Sequence, residues 1–258
     1  AVVHHGAGFT GSGEVTLASK AGVSITREGR IQVLAASTEI GQGTNTIFSQ
    51  IAADTLGVPF DAVEVEIPDT GKVPNSGPTV ASRTCMIVGG LVQRAARELL
   101  NAARDGGFDL SKPADRKAAG RALSNGGAIR RFIVEYERPT TMAWDDKTYK
   151  GDAYGVYSYG AMAVELEIDR TTCEITVLKV TTAQDIGRAI NPLLAEGQIV
   201  GGTAQGLGWA LWENAIYKDG VMVNCQLTNY IIPTSADMPP VEVMIVERPY
   251  SDGPFGAK

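Results

Sequence analysis

The stretch 180–208, VTTAQDIGRAINPLLAEGQIVGGTAQGLG, decides the fold. It opens at the end of a β-branched run, 174–181, which reads as a strand. The chain then passes Asp185-Ile186-Gly187 and reaches Asn191-Pro192. An Asn side chain can accept from a backbone amide of a first helical turn, and Pro suits the first helical position. A helix over 191–212 is therefore predicted. Five glycines fall between Gly197 and Gly208, and each costs about 1 kcal/mol in a helix relative to alanine. Gln198 and Gln205 are seven residues apart and share a face. A helix this bare predicts close approach by another helix or a ligand, and the glutamines favour a ligand.

The same theme occurs earlier. Two runs, 23–26 and 31–36, flank Glu28-Gly29 as a hairpin, and a Gly/Gln loop leads into a predicted helix over 44–56. A strand is expected over 63–67. Val88, Leu91, Val92, Ala95, Ala96 and Leu99 recur at helical spacing. The polar segment 105–128, with Gly106-Gly107, Pro113 and Gly126-Gly127, reads as an irregular insertion with a short helix over 113–123. Strands resume over 131–137, 161–168 and 174–181, a hairpin turns at Lys218-Asp219-Gly220, and a last strand covers 240–246. The expected class is α+β: two α/β repeats with mixed sheets, one over 1–104 and one over 129–258, separated by the insertion 105–128.

Composition narrows the function. Hydrophobic residues are 44% and charged residues 20% of 258, ordinary for a globular chain. No apolar run is long enough to span a membrane, and 1–5 lacks the basic flank and apolar stretch of a signal peptide. Lys and Arg number 23 against 29 Asp and Glu, net −6, with no basic run for nucleic acid. Cys85, Cys173 and Cys225 are widely spaced, so neither a zinc ribbon nor an iron–sulfur cluster is expected from this chain, and a reducing, cytoplasmic setting is. The adjacent His4-His5 suits a strand better than a metal site, and no GxSxG elbow accompanies them. The 30 glycines, about 12% against a usual 7% or so, point to a backbone that approaches something closely.

Four segments carry the candidate chemistry. Glu39-Ile40-Gly41-Gln42-Gly43-Thr44 joins a strand to a helix, where helix-start amides suit a phosphate and the Gln42 amide suits a heterocycle edge. The alternative for it is a tight capped turn. Gly6-Ala7-Gly8-Phe9-Thr10-Gly11 matches GxGxxG, but 14–18 alternates like a strand, so a glycine-shaped loop is expected, with Phe9 either stacking on a ligand or packed in the core. Gly77-Pro78-Thr79-Val80-Ala81-Ser82-Arg83-Thr84 places cap-type hydroxyls before a helix. The Gly/Gln-rich helix is the fourth.

In order, GQGT, GPTVASRT, DIGRAINP, GQIVGGTAQGLG and GPFGAK resemble the molybdenum-binding subunit of the xanthine dehydrogenase/aldehyde oxidase family of molybdenum hydroxylases, in its C-terminal half. The resemblance implies one lobe of a molybdopterin-binding domain. It implies pterin-dinucleotide contacts at Gly41, Gln42 and Gly43, and a loop beside the molybdenum at Ala81, Ser82, Arg83 and Thr84. Ala81 would lie nearest the metal without being a side-chain ligand. It further implies a cofactor bond from Gln205 and a substrate-pocket wall at Phe9-Thr10. The expected cofactor is molybdopterin with molybdenum, in its cytosine dinucleotide form. Partners implied are an N-terminal molybdopterin-binding lobe and subunits or domains carrying [2Fe–2S] clusters and FAD.

The family's general-base glutamate, in a Gly-x-Gly-Glu segment, would fall about four residues beyond Lys258. No catalytic residue is therefore assigned, and this chain alone is not expected to complete a turnover. The leading expectation is an oxidoreductase part that hydroxylates an N-heteroaromatic or aldehyde with oxygen from water. The alternatives are a non-catalytic molybdopterin-binding or assembly module, or a generic nucleotide-binding domain.

Overall fold

Alternating apolar residues set the first sheet. Ala21, Val23 and Ile25 of β2 (Lys20–Ile25) and Ile31 and Val33 of β3 (Ile31–Leu34) are almost fully buried on one face. The computed structural model describes residues 1–124 and 128–258. The two strands form the expected antiparallel hairpin, Val23 facing Val33. After β3 the chain enters α2 (Thr44–Leu56), then β4 (Val63–Val65), parallel to β3. A helical crossover is what joins parallel neighbours. The order is β4-β3-β2-β5, with β5 (Arg131–Glu135) antiparallel to β2.

Two helices cover the apolar face. Phe48, Ile51 and Ala52 of α2 and Leu91, Val92, Ala95, Ala96 and Leu99 of α3 (Gly89–Asp105) are buried in one core with the strands. Spacing of three and four residues puts each set on one helix face. A π-helical turn, Thr84–Val88, runs straight into α3. The helix expected within the insertion is α4 (Pro113–Ala122), with Pro at its start. Gly126-Gly127 lie outside the described residues.

The second sheet repeats the plan. β8 (Tyr157–Ile168) and β9 (Ile175–Asp185) pair antiparallel, with a register shift between Glu165 and Leu166. The Asp169 carboxylate accepts from the Thr171 amide at 2.7 Å and shapes their turn. From β9 the chain enters α5 (Pro192–Leu211), capped by the Asn191 side chain on the Leu194 amide at 3.0 Å, then β12 (Val241–Val246), parallel to β9. The order is β1-β8-β9-β12, where β1 is Val2–Gly6. Hairpin, helix, parallel return strand and an edge strand beside the first strand occur in both sheets, as two α/β repeats require. Two small hairpins complete the strands: β6 (Trp144–Asp145) with β7 (Lys150–Gly151), and β10 (Tyr217–Lys218) with β11 (Val221–Met222). The latter turns through Asp219-Gly220, both at positive φ.

One expected strand is a helix. The segment expected to alternate over 14–18 forms α1 (Gly13–Leu17) instead. The Glu14 side chain is buried there, against the simple pattern, because it has a charged partner.

The chain divides into two compact units. One comprises Ala1–Val3, Tyr159–Asp185 and Asn191–Val246; the other comprises His4–Ser158, Ile186–Ile190 and Glu247–Lys258. Within the larger unit, β5 follows the 105–128 segment and returns to pair with β2 in the first sheet.

Candidate functional site

Three of the candidate segments meet inside the larger unit. Arg83 is 0% exposed and its guanidinium is fully committed. Nε and Nη2 each donate to the Glu14 carboxylate at 2.9 Å, Nη2 also to Ser19 Oγ at 2.7 Å, and Nη1 to the Ser76 and Pro78 carbonyls at 2.7 and 3.1 Å. Glu14 Oε1 also accepts from the Phe9 amide at 3.1 Å. One buried ion pair therefore ties the 6–11 loop to the 76–84 loop. The Gly8 amide adds a bond to the Ala81 carbonyl at 2.9 Å.

This arrangement turns the Arg83 side chain inward. Its donors are spent on the protein, so its part in any ligand site is to hold the loop rather than to reach out of it. What the loop presents instead is Ala81 and Ser82, with φ of 55° and 52°. Two consecutive non-glycine residues in the left-handed region are costly, about 1 kcal/mol or more each, and persist only where the surroundings over-determine them. Ala81 is half-buried and Ser82 exposed. Thr84 begins the π-helical turn, and no side chain caps it or α3; the expected hydroxyl cap is absent because the turn continues unbroken into the helix. Such π turns frequently mark functional positions.

The GQG loop is closed on itself in a way the sequence reading missed. Glu39 Oε1 accepts from the Gly41 and Gly43 amides at 2.8 and 3.1 Å, and Oε2 from the Asn45 amide at 3.0 Å. Burial alone would raise this carboxyl's pKa, but the amides of Asn45, Gly43, Gly41 and Ile40 outweigh it and hold the group below its ordinary range. The amides expected to receive a phosphate are thus taken by the chain's own carboxylate. Gln42 is also engaged: Nε2 donates to the Thr38 carbonyl and Thr44 Oγ1, and Oε1 accepts from the Ile40 amide at 2.7 Å. Gly41 and Gly43 sit at φ of 103° and 91°, which favours glycine. A side chain at Gly41 would meet no atom within 4 Å, so this face of the loop is open. The Thr38 amide donates to Thr79 Oγ1 at 2.8 Å, linking the GQG loop to the 76–84 segment.

Phe9 is half-buried and lines a cavity of about 810 Å³. Thr10 is exposed and donates to the Tyr154 hydroxyl at 2.7 Å. Gln205 belongs to the smaller unit. It is exposed on α5 and lines an open cavity of about 630 Å³ with Trp209 and Pro233. An added Cβ at Gly197, Gly201, Gly202 or Gly206 would meet nothing within 4 Å; only Gly208 is pressed, by Pro233 and Glu213. Among the described residues, no group of three or more His, Cys, Asp or Glu could hold a metal ion. Nor is any helix long and apolar enough to cross a membrane. Burial pushes the Cys85 thiol up to about 12, which leaves it protonated.

The features that sequence reasoning missed are Glu14 and Glu39. Glu39 stood in the quoted motif with no role, and its position two and four residues ahead of Gly41 and Gly43 was the available signal for an amide-bound carboxylate.

The chain matches the family model of the molybdopterin cofactor-binding domain over residues 1–239. It is 33% identical over 257 residues to the putative xanthine dehydrogenase molybdenum-binding subunit of Escherichia coli strain K12, covering 90% of this chain and 33% of that one. It is 30% identical over 253 residues to the gamma subunit of the 6-hydroxypseudooxynicotine dehydrogenase complex of Paenarthrobacter nicotinovorans, covering 92% and 32%. The fold superimposes on the aldehyde oxidoreductase of Desulfovibrio desulfuricans with a TM-score of 0.82 at 30% identity, covering all of this chain and 27% of the other. The chain thus spans about a third of the length of the curated relatives it matches. Its sequence and fold agree, and the chain belongs to the molybdopterin cofactor-binding domain family, alongside the molybdenum-binding subunits of xanthine dehydrogenase and aldehyde oxidoreductase type.

Proposed function

We propose that this chain is the molybdopterin-holding part of a molybdenum hydroxylase that oxidises an N-heteroaromatic compound or an aldehyde. The observation that carries the reading is the strained Ala81-Ser82 loop, locked by the buried Arg83–Glu14 pair, in a chain of this family. The residues fit the group. Ala81 presents nothing wider than a methyl, so a large cofactor can approach the backbone there. Gly41 leaves its face of the GQG loop open, and Gln205 carries an amide with both donors and an acceptor on a bare helix face.

When bound, molybdopterin with molybdenum supplies the two-electron redox centre at which oxygen from water is added to the substrate. The chain's own residues bind and orient. Glu39 and Gln42 fix the GQG loop, so that its outer backbone meets the cofactor in one shape. Gln205 hydrogen-bonds the cofactor, and Ser82 and Thr84 border it. Phe9 and Thr10 line the substrate side. The cytosine dinucleotide form of the cofactor, an N-terminal lobe, and [2Fe–2S] and FAD partners that carry electrons away complete the reading. N-heteroaromatics come first because two relatives are named for xanthine and for 6-hydroxypseudooxynicotine.

The test is metal and pterin analysis of the intact protein from a molybdate-replete host. Stoichiometric molybdenum and pterin are expected. Gln205→Ala should lower molybdenum content severalfold with an unchanged melting temperature, since Gln205 is exposed. Absence of both metal and pterin in the intact protein, or full occupancy in the variant, overturns the assignment.

A further inference from the structure

The GxGxxG stretch, Gly6 to Gly11, is a socket for two aromatic rings of the same unit. A Cβ added at Gly6 would run into the Tyr154 ring, and one at Gly11 into the Trp144 ring. Both positions need glycine for room, and at Gly11 a φ of 60° favours it as well. Hydrogen bonds join the two segments around the rings. The Ala7 amide donates to the Val156 carbonyl at 3.2 Å, and the Gly11 amide to the Ala153 carbonyl at 2.7 Å. Thr10 Oγ1 donates to the Tyr154 hydroxyl at 2.7 Å.

The rings are themselves held. Trp144 Nε1 donates to the Asp146 carboxylate at 2.9 Å, and the other carboxylate oxygen accepts from Ser12 Oγ, next to Gly11. Arg138 Nη2 donates to Ser12 Oγ at 2.6 Å. The Ser12 hydroxyl and Trp144 Nε1 hold the Asp146 carboxyl below its ordinary range, so it stays an acceptor at neutral pH. Tyr149 meets the Trp144 ring edge-on at 5.7 Å, and Tyr157 meets the Tyr154 ring edge-on at 5.4 Å. Trp144 opens the β6–β7 hairpin and Tyr154 follows it, so one strap grips the loop on both sides of Phe9-Thr10. Between the sockets, the Gly8 amide reaches the Ala81 carbonyl at 2.9 Å. The strap therefore also bears on the strained Ala81-Ser82 backbone.

We propose that Trp144 and Tyr154 are positioning residues: seated on Gly11 and Gly6, their rings set the shape that Phe9 and Thr10 present to the substrate. The proposal rests on the reading of Phe9 and Thr10 as the substrate side. The two residues divide the task. Tyr154 fixes the Thr10 hydroxyl by accepting its proton, and Trp144 fixes the loop backbone, including the Gly8–Ala81 bond.

The test combines amide exchange with kinetics on the intact, molybdenum-loaded protein. Trp144→Ala should speed exchange over residues 6–11 about tenfold while β2, β3 and α3 keep their protection. Trp144→Phe, which keeps a ring, should restore most of that protection. Tyr154→Phe leaves its ring in the socket and should leave the exchange as it was. With quinoline and benzaldehyde as oxidisable probes and a dye as electron acceptor, Tyr154→Phe should instead raise KM about fivefold and change kcat less. Thr10→Val should do the same. The double variant should be no worse than either single one, because all three lose the same hydrogen bond. Unaltered exchange over 6–11 in Trp144→Ala overturns the proposal without reference to any substrate. So does a KM effect in Thr10→Val that is absent from Tyr154→Phe, or one that adds in full in the double variant. If Trp144→Ala also loses protection in β2, β3 and α3, the Thr10 and Tyr154 variants decide alone. No KM effect in Thr10→Val removes the substrate-side reading itself, and the proposal with it.

Discussion

Arg83 shows how one side chain can be indispensable to a ligand loop without touching a ligand. A buried guanidinium is costly to desolvate, and the cost is offset only when every donor is met. Here Glu14, Ser19 and two carbonyls meet them all. Glu14→Gln leaves that positive charge buried and uncompensated, and is expected to destabilise the protein by about 3–5 kcal/mol. Lys72→Ala, which removes a half-exposed pair with Glu66, is expected to cost at most about 1 kcal/mol. Urea unfolding of both variants makes the comparison; equal losses would show that the Glu14–Arg83 pair does not anchor the fold. At this scale the sequence was least legible. Arg83 was recognised as part of the loop, but its partner lies 69 residues away in sequence. The segment that carries Glu14 alternates in a way that mimics a strand. Glu39 was invisible for a related reason: a carboxylate folding back onto nearby amides leaves no periodic signature, only a local turn.

Elements were far easier to read, because each is fixed by a repeating physical signal. The α2 helix has the expected limits, since Gly43 and Gly57, both in the left-handed region, bound it on either side. The Asn191 cap and Pro192 place the start of α5. Strand pairing in both sheets follows from the hairpin turns and the length of the crossovers. The glycines of α5 were read as evidence of close approach, and the structure sharpens that reading. At four of the five an added Cβ would meet no atom of the described residues within 4 Å outside the helix's own backbone, so the bareness serves something other than internal packing. Gly201→Ala separates the two consequences. In a helix interior with open space around the Cβ, alanine should add about 1 kcal/mol of stability by lowering the entropy lost on folding. If the bare face is where the cofactor approaches, the intact variant should also lose molybdenum. Higher stability with full molybdenum content would leave the glycines without a role in binding.

The two units of the molecule differ sharply in what they bury. The main apolar core lies wholly in the larger unit, from Ala21 to Val134. In the smaller unit the buried apolar side chains are Val180 and Leu207, while Leu193, Trp209 and Leu227 are 78%, 80% and 87% exposed. A β-sheet and a glycine-rich helix with so little burial have a small margin against the conformational entropy of their chain. Regions of low burial open at low free-energy cost, whereas core elements open only with global unfolding. Amide exchange on the 258-residue chain should therefore show β8, β9 and α5 exchanging several orders of magnitude faster than β2, β3 and α3. The relatives are about three times as long, and burying these apolar side chains against further protein would bind the folded form and slow that exchange. The same measurement on the intact protein should recover protection in β8, β9 and α5 and leave β2, β3 and α3 nearly unchanged. Uniform protection of both units in the 258-residue chain would mean that the smaller unit draws its stability from something other than apolar burial, and the link between its exposed side chains and a larger assembly would fail.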